Sequence, residues 1–133
     1  ESFGMTDLAS AADTVAPSEL FIVQHPGDEG KKVSYKDCAV TRLPANGRGP
    51  DTDFTHTCDT ASGSSGSPVY DLEGRLVGLH HFGFEDSGAP DDWTENRAVR
   101  IAPLKAWLED VLAANDTPVD LPVPVSFSGG CGP

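Results

Sequence analysis

The sequence predicts an all-β fold, namely a small antiparallel β-barrel that is closed by one C-terminal α-helix. Three observations support this prediction. Short runs rich in apolar and β-branched residues follow one another closely, turns containing glycine or proline separate these runs, and an amphipathic stretch comes after them. Each short strand must bury one face against its neighbours, and a barrel achieves this within a small domain.

The chain divides into three parts by composition. Residues 1–18 are polar and rich in alanine, and we predict that they form a connecting segment. Residues 19–114 are predicted to contain the barrel and its closing helix. Residues 115–133 contain four prolines and no helical period, so we expect an extended, partly disordered tail.

The predicted strands follow from residue types and from the turns between them. Residues 20–23 form a continuously apolar run typical of a buried strand, and the His-Pro-Gly-Asp turn at 25–28 ends it. The segments 44–53 and 85–92 contain glycine and proline and are predicted loops. The remaining strands are predicted as a hairpin of 31–35 with 38–43, a strand at 54–58, a hairpin of 67–70 with 75–84, and a last strand at 96–101.

The closing helix is predicted over residues 103–114. Pro103 suits its first turn, where the missing N–H of proline costs nothing. The apolar residues recur at the spacing i, i+3, i+4, i+7 and i+8, which places them on one helix face: Leu104, Trp107, Leu108, Val111 and Leu112.

The charge balance argues against two classes of partner. The chain has 21 acidic and 9 basic residues, a formal net charge of −12, whereas nucleic acids and anionic membranes attract positive surfaces. No apolar run approaches the roughly 20 residues that span a bilayer. We therefore expect neither nucleic acid nor a membrane as a partner, and the sequence indicates no metal and no cofactor.

Three cysteines leave two alternatives open. Cys38 lies near the start of one predicted strand and Cys58 near the end of another, so they form either a disulfide or two small buried thiols. The localisation is therefore undetermined: a disulfide would accompany a secreted protein, and free thiols a cytoplasmic one. Cys131 lies in the glycine-rich tail and is either free or joined to another chain.

The stretch that carries chemistry is residues 59–68, which reads Gly-Ser-Ser-Gly-Ser-Pro at 63–68. Its middle serine, Ser65, can lie on a tight turn with its hydroxyl exposed. Glycine on either side takes positive φ without strain, and the amides of Gly63 and Ser65 can then hold a developing oxyanion. Without its flanks, this stretch would be explained better as a Ser/Gly-rich surface turn.

With its flanks, the chain resembles the trypsin-like (chymotrypsin-fold) serine peptidases, and most closely their bacterial glutamyl-endopeptidase-like branch. The resemblance runs from about residue 19 to about residue 112 and is carried by residues 24–27, 57–60, 63–69 and 76–81. It implies that Ser65 is the nucleophile and that Gly63 contributes to the oxyanion hole. It further implies that the predicted barrel is the C-terminal one of a two-barrel fold.

The resemblance also implies a substrate pocket, and its cues conflict. His80 matches the histidine with which glutamyl endopeptidases hold an acidic P1 side chain, and Thr60 matches a threonine of the same pocket. Asp59, however, lies where trypsin has the carboxylate that selects Arg or Lys. We favour an acidic P1 residue slightly. The three residues after His80 complete the candidate substrate-binding set: His81, Phe82 and Gly83.

The resemblance leaves the catalytic base unassigned. In the family the order along the chain is His, Asp, Ser, and no histidine precedes residue 19. The chain also opens with Glu1 rather than methionine. We therefore expect the catalytic His and Asp on a missing or separate N-terminal barrel, which would be the partner of this chain, alongside a peptide or protein substrate. The alternative is a non-catalytic barrel that binds peptides or a partner protein.

Four histidines remain as candidate bases within the chain, and none matches the catalytic histidine of the family. His25 and His56 are expected to have structural roles, whereas His80 and His81 alternate sides on one strand, so only one can face the cleft. Ser64 occupies the position at which trypsin has the aspartate that binds its freed N-terminus. Activation by an amine at that position is therefore not expected.

Overall fold

The structure is a computed structural model that describes residues 8–83 and 95–114. The predicted loop at 85–92, the tail at 115–133 and the start of the connecting segment lie outside these residues. Short 3₁₀ turns occur at Leu8–Ser10 and Pro26–Asp28. Within the described ranges the strands and the helix are β1 (Leu20–Gln24), β2 (Lys32–Ser34), β3 (Val40–Ala45), β4 (Asp53–His56), β5 (Pro68–Asp71), β6 (Leu76–Phe82), β7 (Asn96–Arg100) and α1 (Ile101–Ala114).

The strands form one curled antiparallel sheet in the order β2-β1-β5-β6-β7-β4-β3. Two backbone hydrogen bonds connect the start of β1 with the start of β3. The amide of Leu20 donates to the carbonyl of Cys38 at 2.8 Å, and the amide of Val40 donates to the carbonyl of Ser18 at 2.9 Å. These bonds curl the sheet back on itself, and the predicted all-β barrel with a closing helix is confirmed.

The hairpin predicted from segments 31–35 and 38–43 is wrong. β2 pairs with β1, where Val23 lies opposite Val33, and β3 pairs with β4, where Val40 lies opposite His56. The Val- and Thr-rich composition of both segments predicted strands correctly, but composition does not specify the partner of a strand. β3 also extends through Pro44 to Ala45, which had been assigned to a loop.

The core is small and lies inside the curled sheet. A disulfide joins Cys38 and Cys58 within it, so the two are not free thiols. Gly78 on β6 is required by a close approach, because a Cβ there would lie 2.6 Å from Cε1 of Phe54. The fully buried members come from six strands and from the disulfide: Leu20, Ile22, Cys38, Val40, Phe54, Cys58, Val69, Val77 and Ala98.

The helix α1 begins at Ile101, directly after the last residue of β7, and contacts β6. Leu104 and Val111 are half-buried, whereas the side chain of Trp107 is 59% exposed. The side chains of Leu108 and Leu112 lie outside the described part. Among the described helices, none combines the length and the apolar character needed to cross a membrane.

The described part of the connecting segment lies against the barrel. The amide of Ala12 donates to the carbonyl of Leu76 at 3.2 Å, and the carboxylate of Asp13 pairs with the guanidinium of Arg100. Thr14 is buried, and its hydroxyl lies 2.7 Å from that of Ser18. The segment is thereby joined to β6 and β7.

Candidate active site

The serine turn lies between β4 and β5 and is attached to β6 by its backbone. The amide of Gly66 donates to the carbonyl of His80 at 2.7 Å, and the amide of His80 donates to the carbonyl of Ser67 at 2.9 Å. Ser65 is exposed, and its hydroxyl donates to the carbonyl of His81 at 3.3 Å. The structure therefore places the candidate nucleophile at the surface, against the end of β6.

Gly63 is needed for its conformation and for the space around it. Its φ is +93°, in the region that favours glycine, and a Cβ there would lie 3.0 Å from the carbonyl oxygen of His25. The adjacent 3₁₀ turn supports the same loop, because the amide of Gly27 donates to the carbonyl of Ser62 at 2.7 Å. His25 thus faces the candidate oxyanion loop with its backbone.

Ser64 forms a local hydrogen-bonded unit inside the turn. Its side chain is fully buried, and its hydroxyl oxygen accepts a hydrogen bond from the amide of Ala61 at 3.2 Å. The amide of Ser64 donates to the carbonyl of Ala61 at 3.0 Å, and the amide of Ser67 donates to the carbonyl of Ser64 at 3.1 Å. This neutral residue therefore satisfies its polar atoms without any added amine.

The amides of Gly63 and Ser65 have no hydrogen-bond acceptor within residues 8–83 and 95–114. Both belong to the turn that carries the exposed hydroxyl of Ser65. Two unsatisfied backbone N–H groups beside a hydroxyl are the donors that a carbonyl oxygen requires when it becomes an oxyanion.

A pocket of about 400 Å³ opens beside Ser65. Four of the six predicted substrate-binding residues contribute to its wall, and the other two do not. Its lining consists of Thr57, Cys58, Asp59, Thr60, Ala61, Ser62, Gly63, Ser65, His80, Gly83 and Asn96.

The two candidate residues that do not line the pocket, His81 and Phe82, have other partners. Nε2 of His81 lies 2.6 Å from Oδ2 of Asp53, a carboxylate only 1% exposed. The hydroxyl of Thr52 donates to the other oxygen of Asp53 at 2.9 Å. The guanidinium of Arg48 lies over the ring of Phe82, 6.0 Å from its centroid. Sequence reasoning missed Asp53, since it was predicted to lie in the loop at 44–53, where a carboxylate is ordinarily solvated.

His56 and His80 form a buried pair behind the pocket. Nε2 of His56 lies 3.1 Å from Nδ1 of His80, and both residues are 2% exposed. Nδ1 of His56 is buried with no hydrogen-bond partner, so a proton there would be an unsatisfied N–H. The network therefore assigns the proton of His56 to Nε2, which donates to His80, and neutral His80 carries its own proton on Nε2.

Burial, together with the smaller effects of the neighbouring His80 and His81, lowers the pKa of His56 from 6.5 to about 3. The charged form is disfavoured because an imidazolium there would lose its hydration. His56 is therefore neutral at physiological pH and is unsuited to accept a proton from Ser65.

No imidazole within the described ranges hydrogen-bonds to the hydroxyl of Ser65, whose partner is a backbone carbonyl. His25 is exposed, His56 and His80 pair with each other, and His81 pairs with Asp53. The described residues thus bring together an exposed serine hydroxyl, two amide donors and a pocket.

Two further residues near the pocket were not predicted from the sequence. Nε2 of Gln24 donates to the carbonyl of Asp59 at 2.8 Å, and Nδ2 of Asn96 donates to the carbonyl of Cys58 at 2.9 Å. Both bonds cross more than 30 residues of sequence, and no local sequence pattern indicates them.

Comparison with known proteins agrees with this geometry. A family described as trypsin-like peptidase domain matches residues 1–79, which is more than half of the chain. No curated protein matches the chain.

Two crystal structures of Rv3671c from M. tuberculosis are similar in fold. An inactive form with a serine-to-alanine mutation has a TM-score of 0.54 at 18% identity, covering 80% of this chain and 53% of that chain. An inactive form of the Rv3671c protease has a TM-score of 0.56 at 17% identity, covering 76% and 52%. The chain spans about half the length of these structures.

Proposed function

Because the chain belongs to the trypsin-like peptidase family, we propose that it is the nucleophile-bearing part of a serine endopeptidase. The observation that carries the proposal is the position of Ser65. Its hydroxyl is exposed at the rim of a pocket, in the turn that presents the unpaired amides of Gly63 and Ser65. A peptide carbonyl placed over this turn meets a nucleophile and two hydrogen-bond donors.

The proposed reaction is acyl transfer. A base takes the proton from Oγ of Ser65 as Oγ attacks the peptide carbonyl carbon, and the amides of Gly63 and Ser65 bind the oxyanion. The C–N bond then breaks, the amine leaves with a proton from the base, and water hydrolyses the acyl-enzyme. Since no imidazole reaches Ser65 in the described part, an N-terminal barrel carrying His and Asp supplies the base. The twofold greater length of the similar structures is compatible with such a partner.

The pocket supports an acidic P1 residue. His80 lines it, and the tautomer set by His56 makes Nε2 of His80 an N–H donor that suits a carboxylate. Thr60 adds a hydroxyl to the same wall. Asp59 also belongs to the lining and opposes an anion, but it is an exposed residue whose charge water screens.

One observation favours a second candidate function, a barrel that binds peptides without cleaving them. The hydroxyl of Ser65 donates to the carbonyl of His81 rather than to an imidazole. A pocket with two amide donors can hold a peptide carbonyl without any base. The two functions differ in whether Ser65 ever becomes covalently modified.

Labelling with a fluorophosphonate separates these functions. We expect Ser65 to be labelled when the chain is combined with an N-terminal barrel from the same gene, and only weakly when it is alone. Ser65→Ala should abolish labelling and lower turnover by about 10⁶. Ser62→Ala is the matched control, because Ser62 is an exposed serine of the same turn. Labelling that survives Ser65→Ala, or no labelling of the combined protein, would contradict the endopeptidase proposal.

A further inference from the structure

We infer that Gln24 and Asn96 are positioning residues that hold one wall of the substrate pocket in place. Each donates a side-chain N–H to one of two consecutive backbone carbonyls, those of Cys58 and Asp59. We call this pair of bonds the amide clamp. Neither residue has been assigned a role by the endopeptidase proposal above.

The two donors of the amide clamp belong to different strands. Gln24 is the last residue of β1 and Asn96 is the first residue of β7, and β5 and β6 lie between these strands in the sheet. The acceptors, Cys58 and Asp59, begin the segment that lines the pocket. One bond alone would let the segment pivot, whereas two bonds from different strands fix its direction.

Core packing alone does not require an amide at the buried position of Gln24. Gln24 is 4% exposed, and its Oε1 is buried with no hydrogen-bond partner. A buried unpaired carbonyl destabilises a fold, and methionine has a similar length without any such atom. What the amide of Gln24 supplies and methionine would not is the bond to the carbonyl of Asp59.

Both ends of the pocket wall have further bonds. The disulfide fixes Cys58 at the end that the amide clamp holds. At the other end, the amide of Gly27 donates to the carbonyl of Ser62, and Ala61 is bonded to Ser64. With the amide clamp added, the segment from Cys58 to Ser62 is tied to the barrel at both ends. A P1 side chain would therefore enter a preorganised wall, which raises selectivity without any contact from Gln24.

A first experiment tests the clamp without using catalysis. In Gln24→Glu, an ionised carboxylate cannot donate to the carbonyl of Asp59, whereas a protonated carboxyl group can. Burial raises the pKa of such a carboxyl group, so the switch falls within an accessible pH range. In ¹H–¹⁵N spectra, we expect the amide signals of Asp59, Thr60 and Ala61 to titrate in the variant, moving towards their wild-type positions at low pH. Signals that titrate identically in wild type and variant would overturn the inference.

A second experiment measures selectivity and rests on the proposed function. In the active two-barrel protein, Gln24→Met should leave the melting temperature unchanged or raise it. It should lower kcat/KM about tenfold for peptides with a P1 side chain, the loss expected for a displaced binding wall. Hydrolysis of p-nitrophenyl acetate, which leaves the pocket empty, should be unchanged.

The variants Asn96→Leu and Asn46→Leu complete the design. Asn96→Leu should reproduce the selective loss. Because Asn96 also lines the pocket, the spectroscopic experiment on Gln24→Glu decides the inference if Gln24→Met fails to fold. Asn46→Leu removes a side-chain-to-backbone bond away from the pocket, the one that Oδ1 of Asn46 accepts from the amide of Asp51. It should change the hydrolysis of neither the peptides nor p-nitrophenyl acetate. Equal losses for both substrate classes would assign Gln24 a merely structural role and overturn the inference. If the wild type shows no activity, the endopeptidase proposal fails, and the spectroscopic experiment alone decides the clamp.

Discussion

Nε2 of His56 lies 3.1 Å from Nδ1 of His80, and the two rings meet edge to face at a centroid distance of 5.2 Å. This pair connects the core to the pocket, because His56 is part of the buried interior while His80 contributes to the pocket lining. The tautomer of His56 in the core therefore decides whether Nε2 of His80 is an N–H donor towards the pocket.

The first prediction concerns the pH dependence of stability. The folded pKa of His56 is about 3, against 6.5 for an unperturbed histidine, so the unfolded chain binds the extra proton. The contribution of His56 to the free energy of unfolding is fully present above pH 6.5. It falls as the pH drops from about 6.5 towards 3, by up to about 1.4 kcal/mol per pH unit. Urea unfolding between pH 7.5 and 4.5 should show this loss in wild type and a smaller one in His56→Gln.

His25→Gln is the control for that measurement, since His25 is exposed. Its unfolding free energy should follow the wild-type curve at every pH. Parallel curves for wild type and His56→Gln would refute the assignment of a neutral, buried His56.

The second prediction concerns the disulfide. Cys38 and Cys58 are 20 residues apart, and closing a loop of this length restricts the unfolded chain. The double variant Cys38→Ala, Cys58→Ala should lose about 3 kcal/mol of unfolding free energy on the chain-entropy estimate. A reducing agent should lower the stability of wild type and leave the double variant unaffected. Equal sensitivity of the two proteins to reduction would count against the disulfide.

The third prediction concerns Gly63 and has a matched control in Gly74. Both have positive φ, +93° and +78°, so alanine should cost each about 1–2 kcal/mol of stability. Only at Gly63 does a Cβ crowd other atoms, namely the carbonyl oxygen of His25 at 3.0 Å. Gly63→Ala should therefore abolish fluorophosphonate labelling of Ser65, whereas Gly74→Ala should retain it. Equal labelling of the two variants would remove Gly63 from the oxyanion site.

The fourth prediction concerns substrate choice. His80→Gln should lower kcat/KM for peptides with Glu at P1 by about 10- to 100-fold, the value of a hydrogen bond to a charged group. Asp59→Asn should raise it, because a like charge leaves the pocket wall. Peptides with Glu, Arg and Phe at P1 would be compared in the active two-barrel protein. If the peptide with Arg at P1 is cleaved fastest and Asp59→Asn abolishes that cleavage, the enzyme prefers a basic P1 residue and the acidic assignment is wrong.

The fifth prediction concerns Trp107, whose side chain is 59% exposed on α1. If the N-terminal barrel docks on this helix, burial of the indole stabilises the complex. Replacing Trp107 by alanine should therefore weaken binding of the barrel. We expect acrylamide to quench Trp107 less in the presence of the partner, measured in a Trp93→Phe background. Quenching that is unchanged by the partner would place the docking surface elsewhere.

The sequence predicted the strands better than their partners. The apolar run at 20–23 and the Gly-Ser-Ser-Gly-Ser-Pro stretch are local patterns, and β1 and the serine turn lie where these patterns placed them. β2 pairs with β1, the preceding strand along the chain, and a three-residue strand carries too little pattern to specify that partner.

The polar contacts of the candidate site were the least predictable part. The bonds from Gln24 to Asp59 and from His81 to Asp53 join residues that are 35 and 28 positions apart. Nothing in the local sequence distinguishes Gln24 and Asp53 from solvated residues, because their burial results from the tertiary fold. The helix α1, by contrast, was predicted from spacing alone, although Trp107 on its predicted apolar face is exposed.

The direct junction between β7 and α1 has a mechanical consequence. No residue separates Arg100 from Ile101, so no linker lies between the strand and the helix, and we expect a movement of the helix to be passed to the strand. Asn96, at the far end of β7, lies about 13 Å from this junction at the usual rise of a strand. We expect a partner that binds the exposed face of α1 and turns the helix to displace the side-chain amide of Asn96. The ¹⁵N shift of that amide, followed as a partner binds the helix, would register the displacement.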